Sequence, residues 1–105
     1  MAKKPYDFLI FIGRFQPLHL GHEHVIRQAL EQAETVLVFV GSTNLARSIR
    51  NPFTFSERKE MVARAFADEI ASGRIVVQEI HDQPYNDTAW IAHVQRTVRD
   101  TVLAV

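Results

Sequence analysis

The sequence predicts an α/β fold built on a parallel sheet, and three observations carry that reading. Apolar runs recur at 8–12, 36–40 and 75–77. A helix-period pattern follows each run, giving the order β-α-β-α-β-α, which implies crossover connections and parallel strands. The first two runs end in glycine or small polar residues, at the strand ends beyond which an open α/β sheet collects its ligands.

The bulk properties set the frame. The chain has 105 residues and 47% hydrophobic content, enough for one domain with its own core. Lys+Arg and Asp+Glu both number 12, so the formal net charge is zero and no nucleic-acid partner is expected. No apolar run approaches the roughly 20 residues of a membrane span, so no membrane association is expected. The start, Met1-Ala2-Lys3-Lys4-Pro5, is followed by an apolar run too short for a signal peptide. Cysteine is absent, which removes disulfides and thiolate metal sites. A cytoplasmic protein is the default.

Taken in order, Asp7 to Ile12 is a continuous apolar strand, of the kind covered on both faces. From His22 onward, Val25, Ile26, Ala29, Leu30 and Ala33 share one helical face. Val36 to Val40 is a second buried strand, ended by Gly41-Ser42-Thr43-Asn44. A polar loop with Arg47 and Arg50 follows. Thr54 and Glu57 then fit a capping box, opening a helix to about Ala71 that buries Met61, Val62, Ala65, Phe66 and Ile70. Gly73 suits the residue after the helix end. Ile75 starts a third strand that fades at His81-Asp82, and Gln83 to Asp87 forms a loop. The last helix starts near Asp87 or Thr88, with Ile91, Val94, Val98, Thr101, Val102 and Val105 as its apolar stripe.

The chemistry concentrates between the first strand and the first helix, in Gly13-Arg14-Phe15-Gln16-Pro17-Leu18-His19-Leu20-Gly21-His22. A helix N-terminus there offers free N–H groups and a positive dipole end to an anion. Two imidazoles add hydrogen-bond donors, and Gly21, without a Cβ, lets a large anionic ligand approach the backbone. The stretch reads as a phosphate site for a nucleotide. Each histidine alone would suit a cap or a packed ring; the pair at one turn favours the ligand. A zinc reading of His19, His22 and His24 lacks helical ligand spacing. His24 and His93 read as surface residues, and His81 as a weak candidate. Arg14, Arg47 and Arg50 are either solvated charges or phosphate clamps. Trp90 is either a core residue or a ring that stacks on a flat heterocycle.

These residues resemble a family. Gly13 to Pro17 with His19-Leu20-Gly21-His22 is similar to the signature of the HxGH nucleotidyltransferases, and more narrowly of the archaeal-type nicotinamide mononucleotide adenylyltransferases. Gly41-Ser42, then Arg50 to Thr54 with Glu57-Arg58, then Asp82, Asn86 and Trp90, match that subgroup in order. The sequence also resembles the bifunctional members that carry a Nudix hydrolase domain. The resemblance implies a Rossmann-like nucleotidyltransferase fold with a parallel sheet. Residues 1–105 would be its N-terminal part and the fold would be incomplete. A later Ser/Thr-rich segment of the family, ending in arginine, is missing from these residues, and further strands would lie beside the first.

The implied reaction is adenylyl transfer from ATP to nicotinamide mononucleotide, giving NAD and pyrophosphate, with Mg²⁺ held mainly by phosphates and no protein metal site. His19, His22 and Arg14 would be catalytic. Gly13, Phe15, Gly21 and Arg50 would join them around the ATP phosphates. Gly41, Ser42, Asp82, Asn86 and Trp90 would take the mononucleotide. The expected partners are these small molecules and further copies of the chain in a homo-oligomer. The alternatives are another HxGH enzyme, acting on phosphopantetheine, glycerol phosphate, choline phosphate or a flavin, and a non-catalytic nucleotide-binding module.

Overall fold

A computed structural model describes residues 4–42, 47–49, 52–82 and 86–104. The elements run β1 (Tyr6–Gly13), α1 (Leu20–Gln32), β2 (Ala33–Val40), α2 (Phe55–Ala65), α3 (Ala67–Ala71), β3 (Ile75–Glu79) and α4 (Asp87–Ala104). The three strands form one sheet in the order β1-β2-β3, and both pairings are parallel. Their register aligns Gly13 with Val40 and Val40 with Glu79, so the three carboxyl ends form one edge. Two further bonds extend that edge: Gly41 N–H donates to Gly13 O at 2.8 Å and Ile80 N–H to Val40 O at 2.8 Å.

Strand alternation divides the core between the two faces of the sheet. Val36, Val38 and Val40 of β2 pack with Ile26 and Leu30 of α1 and with Val62 and Phe66 from the α2 side. Leu37 and Phe39 point the other way and, with Ile80, meet Trp90, Val94, Val98 and Val102 of α4. Val36 to Val40 are all fully buried, as a central strand between two helical layers requires.

β1 departs from the expected coverage. It lies at the edge of the sheet, and Ile10 and Ile12 remain 43% and 40% exposed. They share a face with Phe8, which reaches the α4-side cluster; α4 does not extend over the two isoleucines.

The helices differ from the sequence pattern in five places. Val25 is exposed. Ala33 belongs to β2, because α1 passes straight into the strand at an extended Ala33. The helix read as continuous to Ala71 breaks at Phe66, whose backbone turns to φ −132, ψ 48 while its ring stays buried. Ile91 is exposed, while Trp90, Val94, Val98 and Val102 form the packed face of α4. The N-cap of α4 is Asn86 rather than Asp87 or Thr88, with its Oδ1 accepting from Ala89 N–H at 2.9 Å. The Thr54–Glu57 capping box forms as expected: Thr54 Oγ1 accepts from Glu57 N–H and Glu57 Oε1 from Thr54 N–H. Gly73 takes φ 79, the left-handed turn that glycine enters without a Cβ penalty.

Candidate functional site

The site begins where β1 ends. A Cβ on Gly13 would lie 2.9 Å from Cζ of Phe15, so glycine there leaves room for the ring. Phe15 itself adopts φ 52, uncommon for a bulky residue, and is 1% exposed. Its ring meets Phe11 edge-on at 5.4 Å and His22 at 4.8 Å between centroids. The strained backbone thus turns an aromatic ring inward as a floor beneath the second histidine. Gln16 fastens the loop to the approach of α2: its Nε2 donates to Phe53 O at 3.1 Å and its Oε1 accepts from Phe53 N–H at 2.9 Å.

The two histidines cap α1 reciprocally. His19 is the N-cap, and its Nδ1 accepts from Gly21 N–H at 3.1 Å and His22 N–H at 3.4 Å. His22 Nδ1 accepts in return from His19 N–H at 3.2 Å. The rings stack with centroids 3.6 Å apart. Free N–H groups at this helix start were expected to face an anion; at His19, Gly21 and His22 they are taken by imidazole instead. The consequence is chemical. An Nδ1 that accepts carries no proton, so each neutral ring holds its proton on Nε2, at the far edge of the ring. The polarity of the helix end is relayed outward through two Nε2–H donors. Burial, and then the neighbouring His19, push the His22 pKa below the ordinary histidine value, which favours the neutral ring that the cap needs. Gly21 has a local reason as well: a Cβ there would stand 3.0 Å from Cε1 and 3.1 Å from Nδ1 of His19. The space above it holds the imidazole.

Around this pair the sheet edge brings other named residues together. Arg14 is exposed on the same loop, and Gly41 follows β2 beside Gly13. Ser42, at φ 58 and 6% exposed, donates its hydroxyl to Asp82, 3.1 Å from Oδ1 and 3.0 Å from Oδ2. That bond ties the end of β2 to the chain leaving β3. Asn86 spends its side-chain oxygen on the α4 cap, and Trp90 lies one turn on, half-buried against Leu37, Phe39 and Ile80. His93 is not a plain surface residue: its Nε2 accepts from His81 N–H at 3.1 Å and holds the β3 exit against α4. Arg50 lies outside the described residues.

Arg58 enters the sequence reading only within the Glu57-Arg58 match, with no role of its own. It is 1% exposed, the largest fully buried side chain among the described residues, and its Nη1 donates to Arg14 O at 2.8 Å and Gly41 O at 2.6 Å. Arg74, with no role in the sequence pattern, donates to Leu30 O, Ala33 O and Glu34 O, satisfying carbonyls where α1 gives way to β2.

A nucleotidyltransferase family model, described as cytidylyltransferase-like, matches residues 10–104. The chain belongs to the cytidylyltransferase-like family. It is 41% identical over 93 residues to a nicotinamide/nicotinic acid mononucleotide adenylyltransferase of Acinetobacter baylyi, spanning 89% of this chain and 48% of that protein. With a nicotinamide-nucleotide adenylyltransferase of Archaeoglobus fulgidus it shares 38% over 88 residues, 80% of this chain and 50% of the relative. The chain thus spans about half the length of these relatives. The fold matches a bifunctional NMN adenylyltransferase/ADP ribose pyrophosphatase of Francisella tularensis, crystallised with AMP and a manganese ion. That match has a TM-score of 0.79 and 34% identity, and covers 90% of this chain and 28% of the other. The Rossmann-like parallel architecture expected of such a family member is therefore present as three strands of one open sheet.

Among the described residues, no helix is long and apolar enough to cross a membrane, and no group of three or more His, Asp or Glu side chains is placed to hold a metal ion.

Proposed function

We propose that this chain carries the ATP phosphate-binding half, and part of the mononucleotide half, of an enzyme that transfers an adenylyl group from ATP to nicotinamide mononucleotide. The 5′-phosphate oxygen of the mononucleotide attacks the α-phosphorus. The bond from that phosphorus to the bridging oxygen of the β-phosphate breaks, and pyrophosphate leaves as NAD forms. No side chain becomes covalently attached, so catalysis rests on alignment and on donors aimed at the transferring phosphoryl group.

The observation that carries this reading is the reciprocal cap, which fixes two Nε2–H donors at the carboxyl end of β1. His19 and His22 donate to phosphate oxygens, with Arg14 as the adjacent guanidinium. Gly13 and Phe15 shape the floor, Gly21 leaves the His19 ring its place, and the family resemblance assigns Arg50 to the phosphates. Gly41, Ser42, Asp82, Asn86 and Trp90 receive the mononucleotide, with the indole against the pyridine ring. Similarity to named adenylyltransferases along most of the chain supports the choice of substrate.

The donors of this site are N–H groups and guanidinium, which suit anions rather than metals. A Mg²⁺ ion would therefore arrive on phosphate oxygens and would supply charge neutralisation there. A cytoplasmic location and a homo-oligomer complete the reading.

The test is to incubate the full-length protein with ATP, Mg²⁺ and nicotinamide mononucleotide and follow NAD and pyrophosphate. Stoichiometric release of both is expected. Transfer to phosphopantetheine, glycerol phosphate, choline phosphate or a flavin phosphate instead would replace the substrate assignment. Nucleotide binding with no transfer to any of them would make this a binding module.

A further inference from the structure

The placement of Arg58 is costly, and its cost points to a role. The residue stands in the first turn of α2, whose N-terminal dipole end disfavours a cation. Its side chain is 1% exposed. Burial, and then the charge of Arg14, push its pKa below the ordinary arginine value. A position that needed only packing would be served better by a methionine or leucine, since burying a charge is repaid only by well-made hydrogen bonds.

Those bonds go to main-chain carbonyls of three separate segments. Nη1 reaches Arg14 O at 2.8 Å and Gly41 O at 2.6 Å, while Nε reaches Thr54 O at 3.2 Å. Arg14 lies in the loop that carries the two histidines, and Gly41 starts the loop after β2, next to Ser42. The base of the side chain is itself fixed. Arg58 N–H donates to Thr54 O at 3.0 Å, Thr54 caps the helix, and Gln16 grips the adjacent Phe53 through two bonds. Gly41 is held from both sides, its N–H by Gly13 O and its carbonyl by Arg58.

We propose that Arg58 is a positioning residue: by bridging Arg14 O and Gly41 O, its guanidinium sets the spacing between the phosphate-binding loop and the mononucleotide-binding loop. This rests on the adenylyl-transfer reading above. An in-line displacement needs the attacking phosphate and the α-phosphorus aligned, and each loop holds one reactant. A shift of about 1 Å between reactants can cost on the order of 10²-fold in rate without weakening either one's binding. Lysine keeps the charge and most of the stem, but it is a single point donor that does not reproduce a planar fork.

The test uses the full-length protein and its Arg58→Lys and Arg58→Met variants. Melting temperature, the separate dissociation constants for a non-hydrolysable ATP analogue and for nicotinamide mononucleotide, and steady-state NAD formation are measured for each. The lysine variant is expected to stay folded and to bind each ligand within about threefold of the parent. Its kcat should nevertheless fall at least tenfold, in line with misaligned reactants. Arg58→Met should fall as far or further, with a lower melting temperature. A lysine variant with parental kcat would overturn the bridge and leave Arg58 as a buried charge. So would a kcat loss in both variants that tracks the folded fraction alone. If the parent itself forms no NAD, the adenylyl-transfer reading fails first and takes this role with it; a parent that turns over beside an unimpaired lysine variant isolates the failure to Arg58.

Discussion

Replacing His19 by asparagine and by alanine separates two roles that one imidazole combines. Its Nδ1 caps α1, accepting from Gly21 and His22 N–H, and its ring stacks on His22 at 3.6 Å. Its Nε2–H is the donor assigned to phosphate. Asparagine is among the best N-caps, so Oδ1 can take over from Nδ1, but nothing in the shorter side chain reaches where Nε2 stood. Alanine loses both. Cap loss costs about 1 kcal/mol, within a usual range of roughly 0.5–2. The lower half of that range applies because Gly21 is exposed and water can satisfy its N–H. In a thermal melt that is a shift of a few degrees, about 2–8 °C depending on domain size. Loss of a donor to the transferring phosphoryl group costs roughly 2.7–4 kcal/mol, or about 10²–10³ in kcat. His19→Asn should therefore melt close to the parent yet turn over about a hundredfold more slowly, while His19→Ala should show both losses. Thermal melts and initial rates of NAD formation on the full-length protein decide it. An asparagine variant with parental kcat would show that the imidazole is only a cap. One that melts as low as the alanine variant would show that Nδ1 is not the capping atom.

The remaining predictions follow from neighbouring contacts. Because the His22 pKa in the folded chain lies below the ordinary 6.5, the unfolded chain takes up the proton first as the pH falls. The stability His22 contributes should thus be complete above about pH 6.5 and decline below it, until the lower folded-state value is passed. Urea titrations from pH 8 to 5 should show that slope in the parent and a shallower one in His22→Gln, which keeps the reciprocal cap. Gly13→Ala should destabilise by about 1–3 kcal/mol through overpacking, since its Cβ would sit 2.9 Å from the buried Phe15 ring. A parental melting temperature would contradict that. Trp90 is the only tryptophan in these 105 residues, so its fluorescence should be quenched by nicotinamide mononucleotide and much less by ATP. Trp90→Ala should weaken mononucleotide binding by roughly 1–3 kcal/mol. Unchanged affinity would leave the indole a core residue of the α4 face.

Much of this fold was legible because periodicity and caps are local signals. The run Val36 to Val40 could only be a strand buried on both faces, and it is. The Thr54–Glu57 pattern named a helix start to the residue. The errors arose where tertiary packing decides. At Phe66 the backbone leaves the helix at φ −132 and ψ 48, where the sequence pattern would continue it, and the ring stays in the core all the same. The first strand reads like the second, yet Ile10 and Ile12 leave one of its faces partly bare among the described residues; its outer edge is the one beside which the family resemblance expects further strands. At the site, the histidines were found by residue type and spacing. A cap was one reading of each histidine alone; that the pair caps reciprocally is set by the geometry of the two rings and not by their spacing.

At Arg58, matched only as part of the Glu57-Arg58 segment, the sequence carries a further signal. Phe55, Arg58, Val62 and Phe66 fall on one helical face at spacings of three and four, and three of them are fully buried. A charge in the middle of an apolar stripe is either an error in the helix register or a buried group with a task. The capping box fixes the register, since Thr54 and Glu57 leave α2 a single start. That excludes the first alternative and requires acceptors inside the fold for the guanidinium. The acceptors nearest to hand in a parallel sheet are the carbonyls just past the strand ends, where the ladder stops and main-chain oxygens are left without partners. Those same ends build the ligand site of an open α/β sheet. A cation forced inward on a helix beside that edge is therefore drawn to the backbone of the loops that do the binding, and at Arg58 the two carbonyls it reaches belong to Arg14 and Gly41.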